Sequence, residues 1–243
     1  MANKFSSSPD RERIFAALTQ LLQNIKAYPG KRGITIPFEY TTGKFIIFSD
    51  QHKGAKNGAD DFAEKKKNYL EALDFYCNNN FTFISLGDSE ELWENSLGKV
   101  KKHNTASFNK EKDFIAGNAF VKLFGNHDLY WDNDPFSGFE LKKIYGEKIK
   151  VLEGAVLETF VNNKPLTIYC THGHQGDEQS DGNWFSKFFV ARIWAPLQAY
   201  LKINPNTPAY DANNKTKHNR FMYEWSSQQQ NLLLVTGHTH QPV

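Results

Sequence analysis

The sequence predicts an α/β protein built on a parallel sheet, and three observations carry that expectation. Phe45-Ile46-Ile47-Phe48, Phe81-Thr82-Phe83-Ile84-Ser85-Leu86 and Phe120-Val121-Lys122-Leu123-Phe124 are short, dominantly apolar runs, which read as strands buried on both faces. Apolar residues at helical spacing occupy part of the intervals between them. The polar residues that follow the runs, Asp50, Asp88 and Asn126, lie 38 residues apart. That is about the length of a βαβ unit, which returns a parallel strand to the same sheet edge.

Taken in order, Ser8 is placed to cap a first helix with Pro9 at its first position. Ile14, Leu18, Leu21, Leu22 and Ile25 then give residues 10–27 an amphipathic face that must cover another layer. Tyr28-Pro29-Gly30 stops this helix, and residues 33–42 form an extended segment and turn before a strand at 44–48. Residues 61–77, capped by Asp60 or Asp61, make a second helix with a stripe of Tyr69, Leu70, Leu73, Tyr76 and Cys77. Lys99 to Asn109 is basic and polar and reads as an exposed loop or helix. Residues 151–160 and 166–170 read as strands, arranged antiparallel. In residues 184–201, Trp184, Phe185, Phe188, Phe189 and Ile193 share one helical face, with Pro196 as a kink. Leu232 to Thr236 is a last strand.

Composition bounds the function. A chain of 243 residues with 40% hydrophobic and 23% charged residues can bury one substantial core. A formal net charge of +2 gives no strong nucleic-acid signal. Two cysteines, Cys77 and Cys170, are too few for a disulfide framework and read as buried thiols. The N-terminal residues hold no apolar leader, and no run approaches the ~18 apolar residues of a membrane span, so the expected location is cytoplasmic.

Five times an apolar run ends in a turn bearing Asp, Asn or His: Asp50/His52, Asp88, Asn126/His127, His172 and His238/His240. Residues two apart on a strand share a face, so Asp50 and His52 point the same way from the edge where open α/β sheets bind ligands. Seven imidazole, carboxamide and carboxylate groups at one edge exceed the needs of one metal, and the set without thiolate suits two divalent ions such as Mn, Fe or Zn. His174 reads as a neighbour of the ligands or as loop, His103 and His218 as exposed, and Glu91 as a group behind the ligands.

In chain order these stretches read Asp50-Gln51-His52, Gly87-Asp88-Ser89-Glu90-Glu91, Gly125-Asn126-His127-Asp128, His172 and Gly237-His238-Thr239-His240. They resemble the calcineurin-like metallophosphoesterase superfamily, with its motifs D-x-H, G-D-x-x-[DE], G-N-H-[DE], H and G-H-x-H. The resemblance implies a single domain with a four-layer α/β/β/α sandwich, two mixed sheets and a dinuclear metal site at the strand C-termini. By motif position, Asp50, His52, Asp88 and His240 would hold one ion, and Asn126, His172 and His238 a second, with Asp88 bridging. His127 would stabilise or protonate the leaving oxygen, oriented by Asp128. The implied reaction is hydrolysis of a phosphoester or pyrophosphate by in-line attack of a metal-bound hydroxide.

The substrate is then a phosphorylated small molecule or a lipid-linked one. Gly87-Asp88-x-x-Glu91-Leu92-Trp93, Asp177 and Asp181 after His172-Gly173, and the aromatic segment within 182–230 are similar to the branch of UDP-2,3-diacylglucosamine hydrolases. In that branch an apolar lid takes acyl chains and a peripheral membrane contact follows; the alternative is that the stripe packs on the core. His127 stands where that branch commonly has Arg, and residues 1–40 form an N-terminal extension that it lacks. Two other readings share the fold: a nuclease or cyclic-nucleotide phosphodiesterase, for which Lys99, Lys101, Lys102 and Lys110 offer a basic stretch, and a non-catalytic scaffold. The family usually continues with further strands, whereas this sequence ends three residues after His240; either a partner or the N-terminal segment completes the second sheet, or, the favoured expectation, C-terminal strands are missing by truncation. Oligomeric state is left open.

Overall fold

Apolar stripes on the longer helices and apolar faces on two sheets stack into four layers. The computed structural model describes residues 9–57, 60–176 and 212–240.

Helix α1 (Arg11–Ala27) is capped by Asp10, whose Oδ1 accepts the Arg13 N–H at 2.9 Å. The cap is therefore Asp10, where the sequence points to Ser8, which lies outside the described residues. A carboxylate there both takes an orphan N–H and complements the helix dipole. Ile14, Leu18, Leu21 and Ile25 are fully buried against Val156 and Tyr169, joined by Met222 and Trp225 of the last helix, α6 (Ala212–Ser227). α1 and α6 thus cover the outer face of one sheet.

That sheet has the order β1 (Gly33–Pro37), β6 (Gly154–Val161), β7 (Lys164–Thr171), β8 (Leu232–Val235). β6 and β7 form an antiparallel hairpin through Asn162-Asn163, both at positive φ as a tight two-residue turn demands. β1 and β8 pair parallel on either side, so the N-terminal segment supplies an edge strand.

The second sheet runs β2 (Phe45–Phe48), β3 (Thr82–Leu86), β4 (Phe120–Leu123), β5 (Val151–Leu152), every pair parallel. Two mixed sheets are implied by the resemblance; among the described residues this one is wholly parallel, because helices carry the chain back between its strands. They are α2 (Phe62–Asn78), α3 (Leu97–Ala116), and the shorter α4 (Tyr130–Asn133) and α5 (Ser137–Tyr145). α2 and α3 close its outer face around Tyr69, Leu73, Phe83 and Phe114. Between the sheets, Ile84, Leu86, Val121 and Leu123 meet Ala155, Leu157 and Cys170.

The stretch Lys99 to Asn109 is helix rather than exposed loop. Val100 and Phe108 are buried, and Asn104 kinks α3 while its side chain donates to the carbonyls of Gly54 and Val100. Cys170 is buried, but Cys77 at the end of α2 is only half-buried. The aromatic stripe at 184–201 lies outside the described residues. No helix among the described residues is long and apolar enough to cross a membrane.

Candidate metal centre

The strand ends deliver the polar clusters to one edge. Past β2 and β3 the backbones stay in step: Asp50 N–H donates to Gly87 O, His52 N–H to Asp88 O and Lys53 N–H to Ser89 O. β7 ends at Thr171, and the carbonyl of the next residue, His172, accepts Gly237 N–H after β8, so both sheets feed the same place. Asp50, His52, Asp88, His238 and His240 all hold left-handed backbone, with φ between 48° and 74°. Among the described residues, apart from Lys56, the other non-glycine residues at positive φ are asparagines. Asp and His tolerate this region better than most residues, yet each instance costs about 1–3 kcal/mol unless its surroundings hold it. Five on candidate ligands mark a backbone bent to aim side chains inward.

Glycines beside the ligands make room. A Cβ at Gly125 would collide with Asp88 Oδ1 and stand 2.6 Å from His172 Cδ2. One at Gly237 would collide with Ser49 and Asp50.

All seven predicted ligands come together. Ligand atoms of Asp50, His52 and His240 lie within 4.8 Å of one another, as do those of Asp88, His172 and His238. His172 Nε2 is 3.1 Å from Asp88 Oδ2 and 3.2 Å from Asn126 Oδ1, and His240 Nε2 is 3.2 Å from Asp50 Oδ1. Asp88 adjoins both groups, 3.9 Å from His52 Nε2, while its Oδ1 accepts His127 N–H at 2.8 Å.

The donor set fits divalent ions. His172 Nδ1 faces the Leu86 carbonyl at 3.0 Å and must carry a proton there, which turns the Nε2 lone pair onto two oxygen acceptors. Likewise His52 Nδ1 faces Glu91 Oε2 at 2.9 Å, leaving Nε2 against His240 Nε2 at 3.3 Å. Both ring nitrogens of buried His238 and Nδ2 of buried Asn126 have no hydrogen-bond partner. Lone pairs facing lone pairs, and buried imidazole nitrogens without partners, are what a cation satisfies.

The carboxylates make this edge attract positive charge, a proton on His172 Nε2 or a cation in its place. Burial would lower His172, but the charges of Asp88 and Asp50 outweigh it and raise the imidazole to about 9. Burial likewise opposes the rise of His127, yet Asp88 and Glu91 bring it to about 9. His238, buried beside His172 and His218, is pushed well down and stays neutral, as a ligand must.

The His127 ring is held by Glu91 rather than by Asp128. Its Nδ1 is 2.7 Å from Glu91 Oε2, and Trp93 stacks on its face at a centroid distance of 4.1 Å. Burial would raise Glu91, but His127 and a hydrogen bond from His52 hold it at about 2. The Asp128 carboxylate instead accepts backbone N–H groups of Asp88, Ser89 and Gly125, tying two loops together. Burial and the nearby charges of Asp88 and Glu90 raise Asp128 to about 6.

Beneath the ligands lies a buried ionic cluster that periodicity does not reveal. Glu90 accepts from Lys53, Lys122, Trp131 Nε1 and Ser89 Oγ. Lys53 also pairs with Glu111, which accepts the Tyr69 and Tyr145 hydroxyls. The one available signal is Lys122, a lone charge inside the apolar run of β4. His218, expected to be exposed, is buried on α6, with Nε2 2.6 Å from the Gly173 carbonyl and its ring against His238. His174 is buried beside His172. His103 is half-buried.

No curated protein and no solved structure matches the chain. The calcineurin-like phosphoesterase family matches residues 43–242, the whole stretch from β2 to beyond His240. The chain belongs to the calcineurin-like phosphoesterase family, and it is a metal-dependent phosphoester hydrolase.

Proposed function

We propose that the chain hydrolyses a phosphoester or pyrophosphate at a two-ion centre, with Asp50, His52, Asp88 and His240 holding one ion and Asp88, Asn126, His172 and His238 the other. The observation that carries this reading is the convergence of carboxylate oxygens and imidazole nitrogens around Asp88, with the ring nitrogens of buried His238 left without a hydrogen-bond partner. Divalent ions bound there supply a water acidified toward neutral pH and a Lewis-acid clamp on the phosphoryl oxygens.

The chain's own residues do the rest. Glu91 accepts the His127 Nδ1–H and, with Asp88, keeps the imidazole protonated, so that Nε2–H can give its proton to the leaving oxygen. Trp93 keeps the ring plane from turning. Asp128 holds the Asp88 and Gly125 loops at the spacing His127 needs. His218 holds the Gly173 carbonyl, and through it the turn that follows His172.

His127→Ala tests the assignment. Metal content stays at the wild-type value while turnover falls roughly 10²–10⁴-fold, the usual worth of a positioned general acid. Equal loss of metal and activity would make His127 a ligand instead. A nucleotide-sugar lipid pyrophosphate is the substrate that the Glu91-Leu92-Trp93 stretch and the aromatic segment favour, and release of UMP from it tests that choice.

A further inference from the structure

His238 stands between two other imidazoles. Its ring lies 5.3 Å from that of His172 and 5.6 Å from that of His218, edge to face in both cases. One of its nitrogens gathers with ligand atoms of Asp88 and His172, all within 4.8 Å of one another. A neutral imidazole carries its proton on one nitrogen only. The nitrogen that faces an ion gives it a lone pair, so the other must be the N–H. Among the described residues, nothing accepts that proton.

His218 has the opposite deficit. Its Nε2 is 2.6 Å from the Gly173 carbonyl, which can only accept, so the proton sits on Nε2. The ring is 1% exposed and packed on another imidazole, surroundings that favour its neutral form. Nδ1 is then a bare lone pair, buried and without a partner among the described residues. A buried donor and a buried acceptor, each costly when left unmade, therefore lie on neighbouring rings.

The surroundings hold the two rings near each other. The next residue along α6, Asn219, accepts the Thr239 hydroxyl on Oδ1 at 3.0 Å. Adjacent residues of one helix thus clasp the turn after His172 and the turn after His238. An N–H···N bond of about 3 Å between two imidazoles sets their centroids just over about 5 Å apart, close to the 5.6 Å found.

Building on the two-ion reading, we infer that His218 is a positioning residue for His238: its Nδ1 accepts the N–H of the His238 nitrogen turned away from the ion. The bond fixes the tautomer and ring plane of His238, as a carboxylate or carbonyl does behind other metal-bound histidines. His218 touches no reacting atom. Through Gly173 and His238 it sets two histidine ligands of the same buried ion with one side chain.

The test is NMR of the Zn²⁺-loaded full chain with nitrogen-labelled histidine, beside the variants His218→Phe and His218→Gln. In the wild type, one His238 nitrogen should carry zinc, and the other N–H should couple through a hydrogen bond to His218 Nδ1. His218→Phe should weaken binding of one of the two ions roughly 10–100-fold by isothermal titration. His218→Gln, whose carboxamide offers the same donor and acceptor, should restore most of that affinity, which a packing role would not. A His238 N–H with no link to His218 would overturn the inference while leaving the phosphoesterase reading in place. So would zinc bound to His218 itself, or a folded His218→Phe chain of wild-type affinity. No zinc on His238 in the wild-type chain would sink both. The wild-type spectrum decides the matter even where a variant does not fold.

Discussion

The ionic cluster beneath the ligands gives a stability prediction with a worked magnitude. Glu90 is fully buried and receives four side-chain donors: Lys53 Nζ at 3.1 Å, Lys122 Nζ at 2.9 Å, Trp131 Nε1 at 2.7 Å and Ser89 Oγ at 2.9 Å. Lys53 and Lys122 balance Glu90 and Glu111, so the cluster is neutral as a whole. Burial alone would raise the Glu90 carboxyl, but Lys122 and Lys53 hold it at about 2. Glu90→Gln keeps the shape, removes the charge, and leaves a buried net positive charge facing an amide N–H. Removing one partner of a buried pair costs about 3–5 kcal/mol. In a chain of this length that lowers Tm by roughly 10 °C, at about 2–4 °C per kcal/mol. The assay is urea unfolding in the presence of a chelator, so that metal binding does not enter. Glu90→Gln combined with Lys122→Met restores neutrality and should recover roughly half of the loss. A Glu90→Gln cost below about 1 kcal/mol would refute the claim that this pairing organises the loops under the metal centre.

Other substitutions test neighbouring links. Gly125→Ala should leave the fold standing but weaken metal binding, because the added methyl meets Asp88 Oδ1 and His172. Isothermal titration with Mn²⁺ reads this, and wild-type affinity would contradict the geometry. Asp10→Ala removes the cap of α1 and should cost about 1 kcal/mol, with Asp10→Asn retaining most of it, by thermal unfolding.

The sequence carries more of the candidate site than of its supports. Asp50, His52, Asp88, Asn126, His172, His238 and His240 each follow an apolar run; topology gathers the first four at one edge of the parallel sheet, and the packing of the two sheets brings the three histidines after β7 and β8 to meet them. The supports leave no periodic trace. Asp128 sits next to His127 in sequence, but one position along a turn reverses a side chain, and it is Glu91, 36 residues away, that reaches the ring. His218 lies in a polar stretch whose burial depends on where α6 packs. The ionic cluster joins residues from β4, four helices and two loops, a meeting that only the tertiary fold defines. Within the fold, β1 takes an edge of the mixed sheet because Gly33 to Pro37 aligns with Gly154 to Glu158, a pairing no local pattern encodes.

The most direct measurement is a titration of metal-stripped protein with Mn²⁺, following bound ions and bis-p-nitrophenyl phosphate turnover together. Turnover should be absent in chelator, rise with binding, and saturate at two ions per chain, and Asp88→Asn should weaken both binding steps and abolish turnover. Full turnover in chelator, or two ions bound with no hydrolysis of any phosphoester, would contradict a two-ion phosphoesterase built around Asp88.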